Sequence, residues 1–430
     1  MTAALLLSAS AAGAQDGAHV HPAARHDAER ARLSADVTAL VVRALRSVEG
    51  RTIDEGYLTQ PVVMGHAPLW GGRLRLTGTL NLEALTLRDG QLTPGSYGEG
   101  FVDRRHPHTF VHEAMASVEG RPLGPVRMSL AAGKGFVPFG TDDPMLRPFV
   151  LFPVNHHLAQ LLERYVAIAG VRVPGALLEG ATFGGDEPAG PWTWPRARRF
   201  GEAWAGRATL LPLELAGRAR RAGPGALELS ASHAWVPSPE EPTGVGLDQR
   251  KSSLAARWAT ADRAASDGAV TDSAAGGYAL LEWARTDEVR GARRAFRYQS
   301  VLAEASAWRP VLGTPVALAA RAERTGRPEE ERLLDPFRTV RPHFEQNVLG
   351  ITEWRILTLA ASVRPRAGRL RLAPFVEAAR AEPRALVRPS AFQPQLFYRA
   401  RVQWTLAAGV RLGLGRPHGR MGRYGVAAAH

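Results

Sequence analysis

The side chains best suited to chemistry in this sequence are histidines, and they cluster in two short segments. The first runs from Asp103 to Glu113 and reads Asp-Arg-Arg-His-Pro-His-Thr-Phe-Val-His-Glu, and the second is a His-His pair. Alternate residues of an extended backbone point the same way, so two histidines of the first segment would share a face. Imidazole nitrogens bind copper, zinc and nickel. The candidate metal ligands are His106, His108, His112, Glu113, His156 and His157.

The spacing of these histidines matches none of the common zinc signatures, and Pro107 interrupts the first segment. Two interpretations therefore stay open. In one, the chain is an exported β-protein that binds copper or zinc as its sole cofactor. In the other, the first segment is a polar turn whose His and Arg side chains hydrogen-bond to backbone groups and carboxylates, and no cofactor is bound.

Nucleophilic catalysis finds no support in the residue pattern. A hydrolase built on a membrane barrel needs a serine and a histidine on one face of the wall. Here Ser232 and His233 are adjacent, so a strand would point them to opposite faces. We find no Gly-x-Ser-x-Gly turn, and the absence of cysteine excludes thiol nucleophiles and thiolate metal sites. We expect the protein not to be an enzyme.

The chain is strongly basic, with a formal net charge of +13. Almost all of the positive charge is arginine, since lysine occurs only at Lys134 and Lys251. A nucleic-acid-binding surface normally concentrates its basic residues in one patch or stripe. The arginines of this chain are scattered along its length, so we expect no nucleic-acid partner.

The first residues resemble a secretory signal. A short apolar core at residues 5–7 is followed by Ala12-Gly13-Ala14, the small-x-small pattern that signal peptidases cleave. We therefore expect a signal peptide at residues 1–14 and export from the cytoplasm. The rest of the sequence contains no run of 18 or more apolar residues of the kind that forms a transmembrane helix.

After the signal, one segment shows helical spacing of apolar residues, and Gly50 is a natural stop for it. Its apolar residues are Leu33, Val37, Leu40, Val41, Ala44, Leu45 and Val48. The spacing predicts a short amphipathic helix near residues 26–49, within a periplasmic lead-in at residues 15–60.

From residue 72 the apolar period changes to two residues, which is typical of a strand with one apolar and one polar face. The clearest case lies near the end of the chain. One face carries Val402, Trp404, Leu406, Ala408, Val410, Leu412 and Leu414, and the other carries Arg401, Gln403, Thr405, Ala407, Gly409, Arg411 and Gly413. Such alternation exceeds the roughly 5–6 residues of a typical soluble strand and fits the roughly 9–11 that cross a bilayer. It recurs at residues 74–83, 227–232, 253–258, 316–323 and 357–364.

Aromatic residues give a second indication. Membrane barrels carry girdles of tryptophan and tyrosine at both interfaces, where an amphipathic ring lies between lipid and headgroup. The aromatic residues expected in such girdles lie near strand ends and are Trp70, Trp204, Trp235, Trp258, Trp283, Trp308, Trp354, Tyr398 and Trp404.

Length and composition agree with a membrane barrel. A soluble chain of 430 residues would divide into several domains, whereas a barrel grows by adding strands around its lumen. The hydrophobic content of 45% is low for a helical membrane protein and suits strands that face lipid with alternate residues only. We predict an all-β fold: a single transmembrane antiparallel barrel at residues 61–425, with about 14 strands and an even count from 12 to 16.

Three segments also resemble a known group of proteins. The runs Asp103–His108, Asn155–His157 and Met421–Gly425 are similar to segments of uncharacterised Gram-negative outer-membrane proteins that carry Asp-Arg-x-His-Pro-His-Asp and a later His-His pair. The resemblance covers about residues 60 to 425 and implies a porin-like barrel. Thr109 stands where the group has an acid, which weakens any metal or catalytic role that needs that carboxylate.

Together these features predict a barrel in the cell outer membrane that passes or binds small, anionic solutes. Its expected partners are outer-membrane lipid, those solutes and, during insertion, the barrel-assembly machinery. Cationic side chains on the polar strand faces would give the preference for anions. The predicted lumen-lining residues are Arg73, Arg75, Arg257, Arg321, Arg364, Arg401 and Arg411. A third interpretation is an interaction or structural barrel with a plugged lumen.

Overall fold

The computed structural model is a closed barrel of sixteen antiparallel strands, in which each strand pairs with its neighbours in sequence and the first pairs with the last. The strands are β1 (Arg32–Leu45), β2 (Ile53–Leu69), β3 (Leu74–Asn81), β4 (Val111–Glu119), β5 (Arg127–Gly135), β6 (Arg164–Val173), β7 (Ala176–Phe183), β8 (Ala203–Leu210), β9 (Ala226–Val236), β10 (Asp248–Ala259), β11 (Gly276–Arg290), β12 (Arg293–Val311), β13 (Thr314–Glu330), β14 (Val348–Val363), β15 (Leu370–Ala385) and β16 (Gln403–Gly415). The single-turn helices are α1 (Glu83–Thr86), α2 (His156–Ala159), α3 (Pro212–Leu215) and α4 (Pro394–Phe397). The structure describes residues 31–47, 50–86, 109–185, 188, 191–216, 226–239, 245–260, 275–330, 348–363, 370–386, 390, 392–415 and 420–428.

The strands alternate as the sequence predicts. In β16, Trp404 and Leu406 are exposed on the outer surface, whereas Gln403 and Thr405 are buried on the lumen side. The outer face is apolar on other strands too, for example at Leu318 and Leu359. Exposed leucines around a closed wall are the surface that faces hydrocarbon in a membrane barrel. Among the described residues, no helix has the length and apolar character needed to cross a bilayer.

The two ends of the barrel differ in their connections. One end, the turn end, carries short links at residues 70–73, 174–175 and 312–313. The opposite end, the loop end, carries the longer connections at 82–110 and 136–163. Outer-membrane barrels have short periplasmic turns and longer extracellular loops. We therefore place the loop end at the cell exterior.

The predicted amphipathic helix at residues 26–49 is wrong, because residues 32–45 form strand β1. Leu40 and Val42 face inward and are buried, whereas Val41 faces outward and is exposed. These two inward residues pack against a loop inside the lumen, so the second half of this strand is apolar on both faces. Apolar residues on both faces hide the two-residue period and imitate helical spacing.

The barrel therefore begins at Arg32 rather than at residue 61, and β1 with the first part of β2 lies in the stretch assigned to a periplasmic lead-in. Sixteen strands exceed the predicted value of about 14 and stand at the upper limit of the predicted range. The predicted signal peptide at residues 1–14 lies outside the described residues.

The predicted aromatic girdle is correct for some residues and wrong for others. Trp204 is 50% exposed on the outer face of β8, and Trp70 is 78% exposed in the turn between β2 and β3. Trp308 and Trp354 face the lumen at 3% and 0% exposure, and Tyr398 is buried beside Trp354. Position near a strand end does not distinguish the two faces, whereas the parity of a residue along its strand does.

Candidate functional site: the barrel lumen

The lumen is occupied by the connection between β5 and β6, residues 136–163, which folds into the barrel and is called the inward loop below. The Gly140 N–H donates to Ser232 Oγ at 2.9 Å. Further along the loop, the Val154 N–H donates to a Glu323 oxygen at 3.0 Å. These two wall residues lie on β9 and β13, so the loop crosses the interior from one side to the other.

Carboxylates of the wall hold the inward loop in place. Glu377 of β15 accepts hydrogen bonds from the N–H groups of Val150 and Leu151 at 2.8 and 3.1 Å. Glu282 of β11 accepts one from the Asn155 amide at 2.6 Å. Buried backbone N–H groups must find acceptors, and here the barrel wall supplies them.

Cationic side chains also hold the inward loop in place. Arg321 donates to the Leu151 carbonyl oxygen at 2.8 Å, and Arg411 donates to the Pro148 carbonyl oxygen at 3.1 Å. Arg147, on the loop itself, lies 3.4 Å from Glu282. The loop therefore receives both donors and acceptors from the wall.

A second segment also enters the lumen. Residues 420–428, called the closing segment, follow β16 and fold back into the barrel. The Tyr424 hydroxyl donates to Glu113 Oε1 at 2.5 Å and accepts from the Phe136 N–H at 3.1 Å. The Val426 N–H donates to Ser129 Oγ at 3.0 Å. The closing segment thus lies against β4 and β5 and also packs against the start of the inward loop at Phe136.

The wall and the closing segment approach each other closely at two glycines. A Cβ on Gly425, which has a φ of +54°, would lie 2.2 Å from Ser129 Oγ. A Cβ on Gly135 would lie 2.5 Å from the Tyr424 hydroxyl oxygen. A side chain at either position would displace Ser129 or Tyr424 from its hydrogen bond, so these glycines permit the close approach of the closing segment to β5.

A buried charge cluster joins the inward loop, the closing segment and the wall. Arg420 contacts Asp142 of the inward loop at 2.7 Å and Glu228 of β9 at 2.6 Å. Arg257 of β10 lies 3.5 Å from Asp142 and 3.3 Å from Glu228. Arg423 lies 3.5 Å from Asp142. Burial raises the pKa of Asp142, but the three guanidinium groups outweigh that effect and hold its pKa below the ordinary value.

The predicted lumen arginines divide into three groups. Arg257, Arg321 and Arg411 are inward and contact carboxylates or loop carbonyls, and Arg75 is half-buried on the inner face of β3. Arg73 and Arg401 do not line the lumen: Arg73 is exposed in the turn between β2 and β3, and Arg401 is exposed just before β16. Arg364 lies outside the described residues. The alternation of a strand predicts which residues face the lumen only within the strand itself, and not in the connection beside it.

The described part of the histidine motif forms a structural site. His112 occupies a β-bulge opposite Thr79 and Leu80, so that both His112 and Glu113 are buried. His112 Nδ1 lies 2.5 Å from Glu163 Oε1. Glu163 also accepts from the Thr109 N–H at 2.9 Å.

The described residues contain no group of three or more His, Asp and Glu side chains placed to hold a metal ion. His106 and His108 lie outside the described residues, as do the side chains of His156 and His157. The metal-binding interpretation therefore gains no support from the two ligand candidates whose side chains the structure describes.

The acidic partners of the arginines are not among the lumen-lining residues that the sequence predicts. Glu323 lies two residues after Arg321 on the same face of β13, whereas Glu282 and Glu377 lie on the inward faces of β11 and β15, which carry none of the predicted arginines. The sequence could have indicated these carboxylates, because burying an unpaired carboxylate costs free energy just as burying an unpaired guanidinium does. Asp142 and Tyr424 lie in connections, where no periodicity assigns a face.

Comparison with known proteins shows the fold. No family model matches the chain, and no curated protein matches it. The high-pH structure of Pseudomonas putida OprB has a TM-score of 0.50 at 12% identity, over 90% of this chain and 94% of that one. An anion-selective porin from Comamonas acidovorans has a TM-score of 0.45 at 13% identity, over 89% and 99% of the two chains. A loop-deletion mutant of Vibrio cholerae OmpT has a TM-score of 0.46 at 8% identity, over 89% and 98%.

At these identities, the likeness to OprB is one of fold alone. The closed wall with its apolar outer face is that of a membrane-spanning barrel. The protein is an outer-membrane β-barrel with a porin-like fold, and it lies in the cell outer membrane.

Proposed function

We propose that the protein is a restricted solute channel, which passes small ions at a low rate and prefers anions while the closing segment is seated, and which conducts more, without that preference, when the segment leaves its seat. The observation that supports this is the polar attachment of the closing segment, through Arg420 to Asp142 and Glu228 and through Tyr424 to Glu113. Hydrogen bonds of this kind exchange with water at a net cost of about 0.5–1.5 kcal/mol each, and about 1.5–3 when a charge is involved. Reversible release of this attachment is part of the proposal.

The charge cluster gives the proposed preference for anions. With the closing segment seated, four guanidinium groups face three carboxylates, so the cluster is net positive. Its members are Arg207, Arg257, Arg420 and Arg423 with Asp142, Glu179 and Glu228. Without the closing segment, two guanidinium groups face the same three carboxylates, and the cluster becomes net negative. Rings of charge at a constriction set ion preference in channels.

The test is conductance in planar bilayers under a potassium chloride gradient. We expect the full chain to give small conductance with a reversal potential on the anion side. A variant that ends after Gly415 should conduct more and shift its reversal potential towards cations. The Arg420→Gln, Arg423→Gln double variant should show the same shift, whereas Arg401→Gln, which removes an exposed arginine outside the lumen, should not.

Heat-modifiable migration on a gel confirms that each variant folds. A folded truncated variant that conducts no better than the full chain contradicts the proposal. In that case the lumen is sealed by the inward loop alone, and the protein is an interaction or structural barrel.

A further inference from the structure

The outer surface of the barrel changes from apolar to cationic at one level along its axis. This level, called the row below, crosses five consecutive strands. On β11, β13, β14 and β15 the outward residues of the strand are mainly apolar from the turn end up to this row, and arginine begins there; β12 differs, because Arg309 near the turn end and Gln299 are also outward. The last apolar residues before the change include Trp283, Val301 and Leu357. The arginines beyond it are Arg285, Arg297, Arg324, Arg355, Arg380 and Arg384, which we call the outer arginine belt.

The belt lies towards the loop end, and it faces the surrounding membrane rather than the lumen. Arg324 is opposite Arg355 across β13 and β14, and its side chain is 61% exposed. Arg355 and Arg384 are 49% and 48% exposed. With the loop end placed at the cell exterior, we infer that these side chains lie where the outer-leaflet headgroups meet the hydrocarbon.

The first focus of the belt is Glu353, whose carboxylate is contacted by three arginines. Arg324 approaches it at 2.7 Å, Arg355 at 2.9 Å and Arg384 at 2.6 Å. Each guanidinium has five N–H donors, whereas a carboxylate offers about four lone-pair directions. Most of the donors of this focus are therefore available to a further acceptor, and the net charge is positive.

The second focus repeats the arrangement around Asp287. Arg297 contacts Asp287 at 2.5 Å and Arg285 contacts it at 3.2 Å. The Arg285 guanidinium also lies over the Trp283 ring, 5.9 Å from its centroid. An arginine held by a carboxylate and an aromatic ring is oriented before any ligand arrives, which lowers the entropic cost of binding.

We propose that the outer arginine belt binds phosphate groups of outer-leaflet lipid. Planar guanidinium groups bind phosphate oxygens in a bidentate manner, and the apolar row beside the belt accommodates the acyl chains of the same molecule. The exposed Arg43 of β1 differs, because it forms a bidentate pair with Asp54 alone, at 2.6 and 2.7 Å. That pair is neutral and serves as the matched control.

The experiment measures binding of the full detergent-solubilised protein to phosphorylated lipid A by native mass spectrometry. Dephosphorylated lipid A and inorganic phosphate are the comparison probes. We expect phosphorylated lipid A to bind most tightly. Each arginine near an anionic membrane surface contributes about 1 kcal/mol, so Arg324→Gln, Arg384→Gln should weaken binding roughly 25-fold. Arg43→Gln should leave it unchanged.

A second variant changes affinity in the opposite direction, which loss of folding cannot do. Glu353→Gln removes the carboxylate that competes with phosphate, so we expect it to bind phosphorylated lipid A several-fold more tightly. Equal binding of dephosphorylated lipid A overturns the proposal, and so does unchanged affinity in the double variant. Binding of inorganic phosphate with the affinity of the lipid would assign the belt to a soluble anion instead and would also overturn it.

Discussion

At the scale of single residues, this barrel uses carboxylates for work that is usually done by backbone carbonyls. Glu377 and Glu323 accept hydrogen bonds from N–H groups of the inward loop, which has no strand partner of its own. A loop that enters the lumen needs such acceptors, because an unsatisfied buried N–H is costly. The arginines beside them supply donors for the loop carbonyls.

Replacing Glu377 by alanine should release the inward loop while leaving the barrel closed. Two buried N–H groups, those of Val150 and Leu151, would lose their acceptor, at a cost of about 1–3 kcal/mol each. Limited proteolysis should then cut the loop faster, and heat-modifiability should persist. Glu382→Ala, on the outer face of the same strand, is the control, and equal cutting rates in the two variants would contradict this role.

The seating of the closing segment should depend on pH through Asp142. Its pKa in the folded protein lies below the ordinary value of 3.8, because Arg420, Arg423 and Arg257 outweigh the effect of burial. A carboxylate with a lowered pKa contributes stability that is fully present above its ordinary pKa and is lost as the pH falls through the folded value. We therefore expect the Asp142 contribution to be constant near neutral pH and to disappear only below about 3.8.

A fluorophore on an Ala428→Cys variant reports the seating, since the chain has no cysteine of its own. Access of an aqueous quencher should rise in acid. Adding Asp142→Asn should raise access at neutral pH and remove the acid-dependent change. A change centred near neutral pH would assign the pH dependence to another group.

At the scale of elements, β1 shows how tertiary packing can disguise a strand. Leu40 and Val42 are buried against the inward loop, and Val41 and Leu33 are exposed on the outer face. The other strands with clear alternation face charged or polar residues of the lumen. Where β1 lies beside the apolar part of the loop, its inward face is apolar as well, and the two-residue period is lost over that half of the strand.

Fluorescent labels on single cysteines along β1 can distinguish a strand from a helix in this segment. We expect labels at residues 39 and 41 to be quenched by a lipid-phase quencher, and labels at 38, 40 and 42 to be protected. Strand geometry requires this period of two, whereas a helix would give a period of 3.6 residues. Quenching with a helical period would contradict the assignment of β1 as a strand and would support a helix in a periplasmic lead-in.

At the scale of the whole molecule, the decisive feature is closure between β1 and β16. Ala39 is paired with Val410 across this seam. Closure removes the unpaired strand edges that would otherwise be exposed in lipid, where no water can satisfy them. The same closure creates the interior that the inward loop and closing segment occupy.

A disulfide across the seam tests the closure. The Ala39→Cys, Val410→Cys variant should oxidise readily, because paired residues of neighbouring strands lie within the Cα separation of about 4.4–6.8 Å that a disulfide spans. Ala39→Cys, Leu414→Cys is the control, since the shift of four residues along β16 exceeds that reach. Equal oxidation of the two pairs would contradict the register of the closed barrel.

The sequence by itself determined the class of the molecule and the orientation of most strand residues. Alternation at 402–414 assigned Trp404 and Leu406 to lipid and Gln403 and Thr405 to the lumen, as found. The prediction succeeds because each side chain of such a strand faces either the lipid or the lumen, and these two environments have opposite polarity. Local spacing is then enough.

Only the tertiary structure decided what fills the lumen. Asp142, Arg420 and Tyr424 lie in connections, where backbone direction is free and no period exists. They meet Glu228 and Glu113 from distant parts of the chain. Those contacts depend on the path of each connection through the closed interior, and that path is selected by the satisfaction of buried charges and backbone groups over the whole barrel.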